Sequence, residues 1–401
     1  MELKCSQERM MKDSKSLHNR IAKTVREIPR SGIRDFFDIV STRKDVISLG
    51  IGEPDFVTPW HIRDAASRAL DRGQTSYTSN LGLLSLRQSI ANYVKIKSGI
   101  KYSPENEILI TVGVSEGLDL AIRALVEPGD EVIYHEPSYV SYNPLIKFAK
   151  GNPVAIETRK ENKFCITNDE LESSLSEKSK ILLLNYPNNP TGATLSREEI
   201  ELVAEFSINN DLIVITDEIY NELTYDKKHY SIISVPEMRD RTIYLNGFSK
   251  SWAMTGWRIG YTCAPPELTD AMMKIHQYTM LCAPIIAQEA AIEALELCDS
   301  DLKLMKQEYN KRRNYMTASF AEMEISCVNP SGAFYAFVDI SKFGMSSQQF
   351  AFDLLEAENV AVVPGTAFGS CGEGFIRCSY ATSLDRIKIA MERIKNFINS
   401  L

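Results

Sequence analysis

The sequence predicts an α/β fold, in which a large domain with a mostly parallel sheet flanked by helices is followed by a smaller α+β domain. Three observations predict it. Short apolar runs recur at Ile108–Thr111, Val132–Tyr134, Ile181–Leu184, Leu212–Thr216 and Thr242–Leu245. Segments of helical period separate them, and strands that are apolar throughout belong in a sheet covered on both faces. The 401 residues also exceed the roughly 250–300 at which one hydrophobic core stops growing, which favours two lobes with a cleft between them.

In chain order, residues 1 to about 30 are polar without a sustained apolar period and read as an arm or a helix that needs a partner. Leu118, Ala121, Ile122 and Leu125 share a helical face that Pro128-Gly129 brings to an end. Ser196 followed by Glu199 is a capping box, which opens a helix through Ile200, Val203 and Ala204. One long charged helix is expected from about Gln288 to Met323, then short strands around Ala333–Val338 and Phe375–Ser379. An amphipathic helix carrying Ile387, Met391, Ile394 and Ile398 closes the chain, and no internal repeat or low-complexity linker interrupts it.

Composition narrows the function. With 44% apolar and 24% charged residues the chain can build a core throughout, and a net charge of -8 lacks the basic footprint that nucleic acid or an acidic membrane requires. Cys5, Cys165, Cys263, Cys282, Cys298, Cys327, Cys371 and Cys378 include no C-x-x-C pair, so they read as free thiols rather than metal or redox sites. No apolar run is long enough to cross a bilayer, and the first fifteen residues are too polar for a signal peptide. A reducing cytoplasm and a small-molecule substrate are the expectation.

In sheets of this kind ligands meet the strand ends. Four ends carry polar clusters: Gly113–Gly117, Asn185–Gly192, Asp217–Tyr220 and Gly247–Lys250, the last with Thr255–Gly260 just behind it. Each alone has an ordinary explanation, such as a turn for Asn185–Gly192, a helix cap for Asp217, or a solvated amine for Lys250. Gly113–Gly117 lacks the G-x-G-x-x-G spacing of a dinucleotide site, which argues against a dehydrogenase.

Together, in this order, and with Leu49–Phe56, Tyr77 through Arg87, Gly332–Tyr335, Val363–Gly365 and Phe375–Arg377, they resemble the fold-type I pyridoxal-5'-phosphate (PLP) enzymes. Within these, the chain is similar to the class I aminotransferases of the aspartate and aromatic type. The resemblance runs from about Val46 to the end. It implies a PLP-dependent transferase of fold type I, with residues 1–50 as arm and first segment of the small domain, 51–287 as the large PLP-binding domain, and 288–401 as the small domain.

The resemblance also distributes roles. Lys250 is implied to hold PLP as a Schiff base and to act as general base, which requires a neutral amine and therefore burial beside other positive charge. Asp217 is implied to face the ring nitrogen, Tyr220 and Asn189 the ring hydroxyl oxygen, and Tyr139 the ring face. Arg258 and the backbone of Val114, Ser115 and Glu116 are implied to bind the phosphate. Tyr77 is implied to reach it from a second subunit, hence a homodimer with shared active sites. Arg377, with Gly52 and Asn189, is implied to grip the substrate carboxylate.

Two departures stand out: Gly247 replaces a phosphate-binding serine of many relatives, for which Ser249 is a candidate substitute, and Glu116 brings a negative charge to the phosphate loop. Glu116 is expected to turn its carboxylate away and leave only its N–H. The implied reaction is ping-pong transfer from an aromatic amino acid, aspartate or a related donor, acylated diaminopimelate included, to an acceptor such as 2-oxoglutarate. A carbon–sulfur lyase of the same fold and a PLP-binding regulatory domain are the alternatives; the latter usually carries a basic DNA-binding segment that this arm does not supply. Pocket shape near Ile33 is expected to contribute to substrate choice.

Overall fold

The computed structural model describes residues 17–30, 43 and 45–401; residues 1–16 of the expected arm, with Cys5, and Ile33 lie outside the described residues. Strand β1 (Ile47–Ser48) belongs to the smaller lobe. Strands β2 (Ile108–Thr111), β3 (Glu131–Glu136), β4 (Asn152–Glu157), β5 (Ser179–Leu184), β6 (Ile213–Asp217), β7 (Thr242–Gly247) and β8 (Gly260–Cys263) form one sheet in the order β2-β8-β7-β6-β5-β3-β4. All neighbours run parallel except β8, which is antiparallel to both β2 and β7.

Successive strand residues point to opposite faces, and here both faces are dry. Leu109, Ile181, Leu183, Ile215, Ile243 and Leu245 pack with helices Val114–Leu125 and Pro266–Thr279 through Leu118, Ile122 and Met272. Their neighbours Leu182, Leu184 and Val214 meet helix Arg197–Asn209 on the other side. That helix begins with the expected capping box, Ser196 Oγ accepting from Glu199 N–H at 3.2 Å and Glu199 Oε2 accepting from Ser196 N–H at 2.6 Å.

The smaller lobe contains a three-stranded antiparallel sheet, in which β12 (Phe375–Ser379) lies between β9 (Tyr335–Asp339) and β11 (Val363–Pro364). Strand β1 pairs with β10 (Val360–Ala361), so the chain enters this lobe before it builds the larger sheet. Its core joins Ile47 and Leu49 to Phe334, Phe350, Ile376 and Ile394.

The single helix expected from Gln288 to Met323 is two helices, Ile285–Leu297 and Asp299–Glu322, separated at Cys298 by non-helical backbone (φ -100°, ψ 25°). Ala287, Ala290, Ala291 and Ala294 of the first pack with Ile62, Ala66, Leu86 and Ile90 of the larger lobe. The expected domain boundary at 287/288 therefore falls inside a helix that packs on the large sheet's side. Small alanines allow this close approach, and Asp299 and Asp301 suit a new helix N-terminus.

Candidate active site

The carboxyl ends of β2, β3, β5, β6 and β7 lie along one edge of the sheet, because these strands are mutually parallel. A cleft of about 540 Å³ opens there, and its lining includes Gly52, Val114, Ser115, Tyr139, Asn189, Asp217, Tyr220, Ser249, Lys250, Arg258 and Arg377. Residues up to 327 positions apart in sequence thus share one cavity, as for Gly50 and Arg377.

Lys250 follows β7 and its Nζ donates to Gly52 O at 2.7 Å. Burial pulls its ammonium down to about 8; Arg377 and Arg258 add to the effect, while Glu53 and Asp217 oppose it. The amine is therefore far closer to neutrality than a solvated lysine. Asp217 ends β6 and is 5% exposed. Burial raises its carboxyl to about 6, against a hydroxyl from Tyr142 donated to Oδ2 at 2.9 Å and the Ile219 N–H donated to Oδ1 at 3.2 Å. A cation placed opposite would favour its ionised form.

At the end of β2, Gly113 (φ +76°) caps helix Val114–Leu125. A Cβ at Gly113 would lie 2.6 Å from Arg258 Nη2, so a glycine lets the guanidinium lie against the loop. Arg258 itself adopts left-handed backbone (φ +50°), and its Nη1 donates to Thr255 O at 3.2 Å. Among the described residues, no carboxylate pairs with Arg258, and neither the Val114 and Ser115 N–H groups nor the Ser249 hydroxyl has a hydrogen-bond partner. A cation, two helix-terminal N–H groups and a hydroxyl around one space suit a phosphate.

Glu116 is the correction to the expected phosphate set. Its carboxylate points away as anticipated, but its N–H is engaged too, donating to Gly113 O at 3.1 Å, and the residue does not line the cleft. A serine at Gly247 would be crowded: a Cβ there would lie 3.0 Å from both Gly260 Cα and Val114 Cγ2, so its neighbours would have to give by a few tenths of an ångström.

Arg377 on β12 is 3% exposed, sandwiched 4.4 Å over the Tyr335 ring and 4.7 Å over Phe368. Its Nη1 donates to Asn189 Oδ1 at 2.8 Å and Nη2 to Gly50 O at 2.5 Å, while Nε is buried without a partner among the described residues. An orphaned donor is costly, and a carboxylate is an acceptor of the kind that a guanidinium suits.

Tyr77 does not reach the cleft of its own chain and is 81% exposed. Sequence reasoning assigned nothing to Tyr142, Asn185 or Tyr335. Asn185 Nδ2 donates to Asp217 O at 2.9 Å while its Oδ1 accepts the Asn189 N–H at 3.1 Å, and the Tyr335 and Tyr220 hydroxyls are 2.9 Å apart. Asn185 and Tyr335 stand in the recognised motifs, which was the available signal; Tyr142 gave none.

These residues fit PLP: an amine more easily deprotonated than a solvated lysine for its aldehyde, a buried carboxylate for its ring nitrogen, and an arginine beside two helix-terminal N–H groups for its phosphate. Among the described residues, no group of three or more His, Cys, Asp or Glu could hold a metal ion. Comparison with known proteins agrees. Residues 44–394 match the model of the family described as aminotransferase class I and II. YugH of Bacillus subtilis (strain 168), whose name places it among aminotransferases without giving a substrate, is 51% identical over 375 residues, covering 94% of this chain and 97% of that one. An aspartate aminotransferase of Pyrococcus abyssi is 43% identical, covering 92% and 95%. The crystal structure of an aromatic aminotransferase from Pyrococcus horikoshii superposes with a TM-score of 0.88 at 41% identity, covering 92% and 99%. With the family matched over residues 44–394 of its 401, the chain belongs to the class I and II aminotransferases, PLP-dependent enzymes of fold type I that transfer amino groups.

Proposed function

We propose that Lys250 joins PLP covalently and moves the substrate's Cα proton, that Asp217 keeps the ring nitrogen protonated, and that Arg377 binds the substrate α-carboxylate with Gly52 and Asn189. The observation that carries this reading is a single cleft holding a lysine whose burial lowers its ammonium to about 8, a buried carboxylate and two arginines that lack carboxylate partners among the described residues. PLP, when bound, supplies the electron sink that stabilises charge at Cα. The protein's part is to orient the ring between Tyr139 and the cleft floor, to hold the phosphate with Arg258, Ser249, Val114 and Ser115, and to set Tyr220 and Asn189 against the ring oxygen.

In this reading the lobes divide near Cys298, and the enzyme works as a homodimer in which the exposed Tyr77 reaches the partner's phosphate. Among the described residues no helix is long and apolar enough to cross a membrane, and we place the enzyme in the cytoplasm. The donors are aromatic amino acids, aspartate or related compounds, the acceptor is 2-oxoglutarate, and the cycle is ping-pong. Purified enzyme incubated with a donor panel should form glutamate only when 2-oxoglutarate is present. Ammonia and pyruvate released without an acceptor would instead identify a carbon–sulfur lyase.

The amine also makes a prediction about pH. Only neutral lysine attacks an aldehyde, so the rate at which apoenzyme captures added PLP should climb with pH up to about 8, the value for Lys250, and then level off. Stopped-flow absorbance reads it directly. A rate still climbing steeply toward pH 10, as for a solvated lysine, would contradict the assigned environment.

A further inference from the structure

Glu116 poses a physical problem. It is the third residue of helix Val114–Leu125, where a carboxylate is ordinarily attracted to the exposed N–H groups of the helix start. Those N–H groups are the ones proposed above for the PLP phosphate, and a carboxylate settled on them would compete with the ligand. In the structure both oxygens are occupied elsewhere. Oε2 accepts the N–H of Val112, ahead of the helix, and Oε1 accepts from His276 Nδ1 at 2.6 Å.

His276 lies in the last turn of helix Pro266–Thr279, which packs against helix Val114–Leu125, and it is 0% exposed. Its other ring nitrogen, Nε2, is buried without a partner among the described residues. Burying an unpaired polar atom is unfavourable, and an apolar side chain would fill the same space without that cost. The position is therefore explained by its Nδ1 contact rather than by packing.

We propose that His276 is a positioning residue for PLP binding, which holds the Glu116 carboxylate off the phosphate cup so that the Val114 and Ser115 N–H groups stay vacant for the cofactor. This rests on the phosphate assignment above. Without His276, Glu116 is free to turn toward the helix start and act as an internal competitor for the phosphate, and removing the carboxylate should then restore binding.

The test is titration of apoenzyme with PLP, and with pyridoxal, which lacks the phosphate, followed by absorbance and tryptophan fluorescence. His276→Phe should raise the PLP dissociation constant about tenfold or more, the effect of losing one hydrogen bond to a charged group, and leave pyridoxal binding within about threefold. Glu116→Gln alone should bind PLP nearly as the parent does, because its amide oxygen still accepts the Val112 N–H. The double variant Glu116→Gln/His276→Phe should recover most of the lost affinity. His276→Asn, which keeps a donor near the Nδ1 position, should bind like the parent and covers the case in which Phe is not tolerated.

Unchanged PLP affinity in His276→Phe, a double variant as weak as the single, or equal losses for PLP and pyridoxal would each overturn the proposal. None of these outcomes bears on Lys250, whose loss is read from covalent attachment and turnover.

Discussion

Lys250→Ala is expected to lower amino transfer by about 10⁴-fold or more, because one amine supplies both covalent attachment and the proton shuttle, and positioned proton transfer alone contributes about 10²–10⁴-fold. PLP should still bind, through the phosphate cup, but without the long-wavelength absorbance that it gains on covalent attachment to the protein. Lys250→Arg separates charge from nucleophilicity: it keeps a cation in the cleft yet offers no neutral amine at any working pH, so it should be as inactive as the alanine variant. Steady-state rates with 2-oxoglutarate as acceptor, together with spectra of the reconstituted proteins, check both. Turnover within tenfold of the parent would remove Lys250 from the chemistry.

Asp217→Asn should be the second most damaging change, lowering kcat by about 10²–10³-fold. Asparagine nearly matches the shape and can still accept the Ile219 N–H, so the loss isolates the charge. Removing one partner of a buried ion pair costs about 3–5 kcal/mol, and here the unpaired partner would be the protonated ring nitrogen. The folded protein already raises the Asp217 carboxyl to about 6 through burial. Because this value lies above that of an unfolded aspartate, the apoenzyme's ionised Asp217 disfavours folding at neutral pH, and the penalty fades as pH falls through about 6. Asp217→Asn should therefore leave apoenzyme melting at pH 7 unchanged or raised while abolishing most activity. A variant that melts lower and retains kcat would assign the residue to structure alone.

The parts that could be read from the sequence share a physical basis. Strands β2, β5, β6 and β7 announced themselves because both faces are buried, which confines their polar residues to the strand ends and leaves an apolar run between. Strand β4 escaped because it is an edge strand, begins Asn152-Pro153 and is half exposed, and β8 because it is four residues long and starts with a glycine. The break at Cys298 was hidden by continuous helical propensity on both sides, where only packing against Ile62 and Ile90 distinguishes the first helix. Within the site, contiguous clusters at strand ends were legible, Asn185–Asn189 and Asp217–Tyr220 among them. Contacts that close through space were not: Tyr142 meets Asp217 across 75 positions, and Glu116 meets His276 across 160.

The reversed direction of β8 has a further effect. Its first residue pairs with the last of β7, Gly260 opposite Gly247, so Arg258 and Lys250 emerge side by side from one hairpin. The two groups proposed to fasten the coenzyme at its opposite ends are thus spaced by a backbone ladder, whereas Arg377 belongs to a separate sheet. Any rocking of the outer lobe that admits or releases an amino acid would leave the coenzyme's tether and its anionic anchor in register with each other.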